Sequence, residues 1–293
     1  MKISYINKTF RKSSLALIKQ ANEIIEEYAQ EGYDLTLRQL YYQFVARDII
    51  ANKMTEYKRL GSVINDARLA GLINWDSIID RTRNYESLSH WNSPADIIQS
   101  AADSYAIDTR ADQGEYIEVW VEKDALVGVI EQACDPLDVG YLSCRGFVSQ
   151  SEMWVAAQRF IIHEHRHRQD TFLIHLGDHD PSGIDMTRDI QDRLRIFGSS
   201  VEVERIALTM EQIEEYQPPP NPAKTTDSRY ESYRRVFGDD SWELDALDPR
   251  VLTEIIAISV GNHTQSAKRS KQIKKQEFDR KKIKELADNW QSK

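Results

Sequence analysis

The 293-residue chain has only two cysteines, Cys134 and Cys144. Neither stands in a CxxC or other ligand spacing, and the pair fits reduced thiols of a cytoplasmic protein better than a disulfide framework. No run of about 18 apolar residues occurs, so no segment is expected to span a membrane. The N-terminus, MKISYINKTFRKSS, lacks the apolar core of a secretory signal. No Gly-rich phosphate loop and no recognisable ATPase region occur, and there are no internal repeats. What is present is a chain with 41% hydrophobic residues, enough for a real core and for about two domains.

Basic charge is also scarce, with a net of -9. As a sum this argues against a nucleic-acid binder, but its distribution matters more. Residues 1–110 carry 14 Lys+Arg and 14 Asp+Glu, residues 111–263 carry 14 and 29, and residues 264–293 carry 10 and 4. The acid is concentrated in the middle, where a domain holding a divalent metal near phosphates would need it.

Residues 13–30, 36–47 and 56–72 each show helical periodicity, the first with a serine start signal and Gly32 beyond its end. INWDSIIDRTRNY follows as a candidate β-wing. Three short helices and a wing outline a winged helix-turn-helix over residues 1–92. Residues 93–115 read as a linker with one helical stretch. From Tyr116 the period changes: YIEVWVEK, GYLSCRG, TFLIHLGDHD and VEVERIAL are expected strands, separated by ALVGVIEQA, SEMWVAAQRFIIHEH and MTRDIQDRLRIF as helices. Alternating apolar strands and helices predict an α/β domain with a mostly parallel sheet over residues 116–263. YQPPPNPAKTTDS is a proline-rich excursion, and residues 264–293 form a basic helical tail that could meet DNA backbone or a partner.

Glu122 ends the first strand, and Asp178 and Asp180 end the third. Ligands of open α/β sheets bind beyond the carboxyl ends of strands. Asp178 and Asp180, two apart in extended chain, share a side, and Glu122 joins them if the two strands are neighbours. Three converging carboxylates ask for a cation, and hard oxygen ligands favour Mg²⁺ or Mn²⁺. Helix capping competes: Asp180-Pro181 fits an N-cap with proline after it, and Ser182 with Asp185 fits a capping box. Asp124 and Asp185 are auxiliary acids at most.

In LTLRQLYYQFVARD, Leu37, Leu40, Tyr41, Phe44 and Val45 form one core-facing stripe. Tyr42 lies off that stripe, four residues after Arg38, so the two share another face. A phenol beside a guanidinium could attack a phosphodiester. Its ordinary pKa of about 10 requires such help or a metal. Simple packing is the alternative for both tyrosines.

VEKDAL, RGF and GDHDPSG, in that order at strand–helix spacing, resemble the Toprim signature of topoisomerases, primases and some nucleases. An Arg-x-x-Tyr-Tyr helix in a winged-helix module ahead of such a domain resembles the topoisomerase VI A-subunit and its meiotic double-strand-break relatives, over roughly residues 34–260. WELDAL resembles the family's later Glu-x-x-Ala-Leu segment. The resemblance implies a winged helix joined to a Rossmann-like Toprim domain, usually in a homodimer whose active sites combine tyrosine and metal from different protomers. It places the DNA-attacking tyrosine at Tyr42, with Arg38 assisting, and the metal ligands at Glu122, Asp178 and Asp180. The expected activity is Mg²⁺-dependent DNA cleavage with a 5′-phosphotyrosyl link. ATP-driven strand passage would belong to a separate ATPase subunit.

Three other readings compete: a Toprim nuclease using water, a DNA-binding protein without catalysis, and a phosphorylation receiver. The last needs a lysine late in the sheet, where only Lys224 in the proline-rich loop is available. Arg59, Arg68, Arg81 and Arg83 are candidate DNA-phosphate contacts. His163, His165 and His167 read as a solvated helix end, since only His163 and His167 share a face. His175 and His179 flank the acidic motif, and contact of His179 with a substrate phosphate is the weaker reading of that position.

Overall fold

The computed structural model describes residues 2–78 and 88–291. The N-terminal module contains α1 (Lys12–Gln30), α2 (Leu37–Ala46) and α3 (Met54–Leu69). α1 begins ahead of the serines, after Arg11, with no side-chain cap. Gly32 beyond its end has φ of 83°, a left-handed conformation that a side chain would strain. α2 starts on a capping box between Thr36 and Gln39, which satisfies two otherwise orphaned amides. Its stripe of Leu40, Tyr41, Phe44 and Val45 is buried against α1 and α3. The expected wing begins as a one-turn 3₁₀ helix, Trp75–Ser77, after which Ile78 bridges Leu35. The rest of it, with Arg81 and Arg83, lies outside the described residues.

The second unit is built on a four-stranded, all-parallel sheet in the order β2-β1-β3-β4. Its strands are β1 (Glu115–Val121), β2 (Gly140–Ser143), β3 (Asp170–Leu176) and β4 (Glu202–Ala207). Helices α5 (Val127–Cys134), α6 (Gln150–Ile162) and α7 (Pro181–Ile196) connect them. Alternate side chains of each strand reach opposite faces. Val119, Val121, Ile174 and Leu176 pack under α5 on one face, whereas Trp120 and Leu173 meet α6 and α7 on the other. Burial on both faces explains why the central strands β1 and β3 are nearly continuous apolar runs, whereas the edge strand β4 alternates. Chain order reverses between β1 and β3, which makes their carboxyl ends the switch point of the sheet.

After β4 come α8 (Met210–Tyr216), α9 (Tyr230–Phe237), α10 (Pro249–Asn262) and α11 (Ser266–Gln291). The short antiparallel strands β5 (Asn221–Pro222) and β6 (Asp240–Ser241) bracket α9. The basic tail is not free: α11 lies along the expected linker, which forms α4 (Pro94–Ser104). Arg280 Nε donates to the Tyr105 carbonyl at 2.6 Å, and the Ile107 amide donates to Gln276 Oε1 at 2.9 Å. No helix among the described residues is long and apolar enough to cross a membrane.

The two units meet through residues 243–250, through Asn52, which donates to the Pro220 carbonyl and Asn221 Oδ1, and through Gln132, which donates to the Gly32 carbonyl. Ala246 enters the core of the N-terminal module. The Tyr28 hydroxyl of α1 donates to Asp248, the N-cap of α10, at 2.7 Å. WELDAL therefore lies between the tyrosine helix and the sheet.

Candidate active site

β1 and β3 are hydrogen-bonded neighbours with Val121 opposite Leu176, so Glu122 and Asp178 emerge side by side at the switch point. Glu122 Oε2 accepts the Asp178 amide at 2.8 Å. Asp178 Oδ1 accepts the Leu244 amide at 2.8 Å and pairs with Lys123 Nζ at 2.9 Å. Asp180 is the N-cap of α7, accepting the Gly183 amide at 2.6 Å, with Pro181 in the first turn. The capping role read from Asp-Pro is thus real. It also starts α7 five residues before the expected Met186. Gly183 cannot be replaced: a Cβ there would stand 2.2 Å from the Asp178 carbonyl oxygen and 3.0 Å from Glu122 Oε2.

Asp185 does not complete a capping box but pairs with Arg229 at 2.6 Å and Arg188 at 2.7 Å. Asp124 pairs with Arg145 at 3.0 Å. Both auxiliary acids are therefore already matched.

Lys123, which sequence reading passed over, is the hub of the site. Its ammonium lies 2.9 Å from Asp178, 3.0 Å from Glu243 and 2.9 Å from Asp245. Arg38 of α2 pairs with Glu243 and lies 2.7 Å from Asp245 Oδ2. Its guanidinium stands 5.8 Å from the centre of the Tyr42 ring. A chain of contacts thus runs from Tyr42 and Arg38, through Glu243 and Asp245, to Lys123 and Asp178. The only signal for it in the sequence was the set of charges in VEK and WELD.

Tyr42 is not on an open face. It is 4% exposed, like Tyr41. Helical periodicity placed it off the core-facing stripe, but the 243–247 segment covers that second face and makes Tyr42 part of the module's core. Burial pushes its phenol pKa up, and the Asp245 and Glu243 carboxylates push the same way, with Arg38 opposing in part.

Burial likewise pushes Asp178 and Glu122 up. Lys123 opposes the shift at Asp178, and the Asp178 amide opposes it at Glu122. Burial also acts to raise Glu243, but Lys123 and Arg38 outweigh it and hold that carboxylate low, at about 2. Beneath the acids, Arg205 donates to the Gly177 carbonyl at 2.8 Å and the Asp178 carbonyl at 2.6 Å.

Does this set suit a hard divalent cation? The hydrogen bonds and ion pairs of Glu122, Asp178 and Asp180 each fall on one carboxylate oxygen, which leaves the other for a ligand. Five carboxylates, counting Glu243 and Asp245, face Lys123, Arg38 and Arg205, a net of two negative charges. Among the described residues no group of three His, Cys, Asp or Glu stands ready as a metal cage. Mg²⁺ does not need one, because it keeps several waters and takes one or two carboxylates. The donor set fits Mg²⁺ or Mn²⁺ and is wrong for zinc.

The expected DNA contacts fare differently. Arg59 is half exposed and pairs with Glu56 one turn away at 2.7 Å. Arg68 is committed inward, donating to the Trp75 carbonyl at 2.6 Å and lying over its ring. His163 stacks on Tyr116 at 3.5 Å, so it is held rather than solvated.

His179 is buried among Tyr233, Phe237 and Trp242, with Nδ1 2.8 Å from the Tyr233 hydroxyl, and does not reach toward a substrate. Burial, and then Arg205, hold its pKa down at about 4, below the ordinary 6.5. As pH falls the unfolded chain takes up that proton first, so this residue costs the fold stability from pH 6.5 down to about 4. The loss is about 1.4 kcal/mol per pH unit. A His179→Gln variant is therefore expected to be less stable than wild type at pH 7. Its deficit should shrink on acidification, by up to about 3 kcal/mol. Urea unfolding midpoints at pH 7 and pH 5 check this.

No family model matches the chain, and no curated protein matches it.

Proposed function

We propose that the chain cleaves DNA by transesterification, with Tyr42 as the nucleophile and a Mg²⁺ or Mn²⁺ site at Glu122, Asp178 and Asp180. The observation that carries this is the unbroken set of contacts from Tyr42 and Arg38 through Glu243 and Lys123 to Asp178. It joins a candidate nucleophile to a candidate metal site within one chain. On this reading the N-terminal helices are the winged-helix module and the parallel-sheet unit is a Toprim domain. The resemblance pairs each tyrosine with a partner protomer's metal, whereas these contacts join Tyr42 to the metal site of its own chain. A homodimer would therefore carry one such site per protomer, and a separate ATPase subunit would be needed for strand passage.

In the reaction the Tyr42 oxygen attacks phosphorus and the bond to the 3′ oxygen breaks. The products are a 5′-phosphotyrosyl link and a free 3′-hydroxyl, with the phenol proton replaced on the leaving oxygen. Arg38 offsets charge gathering on the phosphate. The phenol proton leaves Tyr42 as the new bond to phosphorus forms and ends on the departing 3′ oxygen, while Glu243, kept ionised by Lys123 and Arg38, holds the Arg38 guanidinium beside the phenol. A bound divalent cation supplies Lewis-acid stabilisation of the phosphate oxygens.

The burial of Tyr42 favours one rival, a nuclease in which water attacks and Tyr42 only positions DNA. Incubating the protein with supercoiled plasmid and Mg²⁺ or Mn²⁺, quenching with detergent and running gels with and without protease separates the two. Nicked or linear DNA that migrates normally only after protease supports Tyr42 chemistry. Cutting that ignores protease supports hydrolysis, and no cutting refutes both.

A further inference from the structure

Tyr42 lies in the wall of a pocket. The 243–247 segment closes one side of Tyr42, with Asp245 1% exposed. Beside that segment the pocket encloses about 180 Å³, and its walls include Arg38, Tyr41, Tyr42, Asn52, Tyr57 and Asn221, with Glu243 of the segment itself at its edge. It is formed by α2, the start of α3 and the proline-rich excursion, which folds back onto the N-terminal module.

Its walls fall into two sets. Arg38, Tyr42 and Glu243 belong to the charged chain described above, the Glu243 carboxylate being paired with Arg38. Tyr41, Tyr57, Asn52 and Asn221 form an aromatic and amide lining. The Tyr41 and Tyr57 rings meet edge-to-face at 5.3 Å, and Tyr41 meets Tyr42 at 5.2 Å. The Tyr41 hydroxyl donates to Asn52 Oδ1 at 3.0 Å, while Asn52 Nδ2 donates to Asn221 Oδ1 at 3.0 Å and to the Pro220 carbonyl at 3.2 Å. These bonds fix the Asn221 amide with its oxygen occupied. Its NH₂ donors have no partner among the described residues.

Aromatic rings beside a fixed amide donor, next to a guanidinium and a candidate nucleophile, make a nucleotide-shaped environment. Bases taken out of a stack are read this way, by aromatic stacking and by amides on their polar edges. Size then selects among the bases. A cavity of about 150 Å³ holds a benzene ring, so this one takes a single six-membered ring more readily than a fused pair. Thymine and cytosine carry carbonyl acceptors that suit an amide donor.

We propose that this pocket binds one unstacked pyrimidine of the cleaved strand, beside the phosphate attacked by Tyr42, and that Asn221 and Tyr57 set that preference. The proposal rests on the cleavage reading and adds its substrate rule: a phosphate is reached only where a neighbouring pyrimidine leaves the stack. Stacking on an aromatic side chain favours every base alike, so the preference comes from the size of the pocket and the Asn221 amide.

The test is to map protein-linked 5′ ends on a random-sequence DNA library, for wild type and for Asn221→Ala. A pyrimidine is expected at one fixed offset from the cut, at least tenfold over purine, with the preference falling threefold or more in Asn221→Ala. A second measurement needs no turnover: an oligonucleotide carrying the fluorescent cytosine analogue pyrrolo-dC at that offset should brighten on binding Tyr42→Phe protein, because the base unstacks. Protein-linked ends with no base preference at any offset would overturn the pocket and leave the cleavage reading standing. A preference unchanged in Asn221→Ala, or no brightening, would also overturn it. Absence of any cut ends would overturn both.

Discussion

Replacing Tyr42 by Phe is expected to abolish protein-linked DNA ends, a loss of at least about 10³-fold, while DNA affinity changes by less than about threefold. The substitution removes one oxygen and leaves the ring. The edge contact with Tyr41 at 5.2 Å and the position under Arg38 at 5.8 Å both survive. The stability cost is that of one hydrogen-bonding group, about 0.5–1.5 kcal/mol, so loss of adducts cannot be blamed on unfolding. Detergent-trapped adducts and fluorescence anisotropy of labelled DNA measure the two quantities. Adducts that persist in Tyr42→Phe would place the nucleophile elsewhere. Hydrolytic cuts at wild-type rates would make water the attacking group.

The second large effect is expected at Lys123. Its ammonium is the only cation paired with the Asp178 carboxylate among the described residues, and it shares Glu243 and Asp245 with Arg38. The Asp245 side chain is fully buried. Lys123→Met keeps the length of the side chain and removes the charge, stranding carboxylates away from water. Breaking a buried pair from one side costs about 3–5 kcal/mol. At about 2–4 °C per kcal/mol, the melting temperature should fall by roughly 10 °C. If a divalent cation binds at Glu122, Asp178 and Asp180, it restores much of the missing charge. At 100 times its Kd a ligand adds about 2.7 kcal/mol of stability. Mg²⁺ should therefore raise the melting temperature of Lys123→Met more than that of wild type, and Asp178→Asn should remove this response. A Lys123→Met protein as stable as wild type, or one indifferent to Mg²⁺ and Mn²⁺, would contradict the arrangement.

Much of the sheet was legible because its physics is local. Strands buried on both faces read as apolar runs, and β1 to β4 fall within a few residues of their expected places. Neighbouring strands at the switch point then bring Glu122 and Asp178 together, as the spacing of VEK and GDHD implied. α2 was legible too, since its capping box and core stripe lie within a dozen residues.

What was not legible depends on contacts between distant segments. Tyr42 was expected on an accessible face, and it is buried because residues about 200 positions later in the chain, 243–247, cover it. Lys123 was invisible for the same reason: its partners Asp178, Glu243 and Asp245 come from separate loops. Arg68 looked like a surface cation until Trp75 supplied its partner. The tail was expected to be a basic helix that could meet DNA backbone or a partner, but α4 provides a surface for it within the chain. His179 sat in an acidic motif and suggested chemistry, yet Tyr233, Phe237 and Trp242 enclose it.

The most direct measurement is mass spectrometry of the trapped adduct. DNA cut in the presence of Mg²⁺ or Mn²⁺ would be trimmed with nuclease, and the protein digested. The account predicts a nucleotide mass on the peptide containing Tyr42, on the phenolic oxygen. A nucleotide on another residue, or cut ends bearing free 5′-phosphate with no modified peptide, would contradict it.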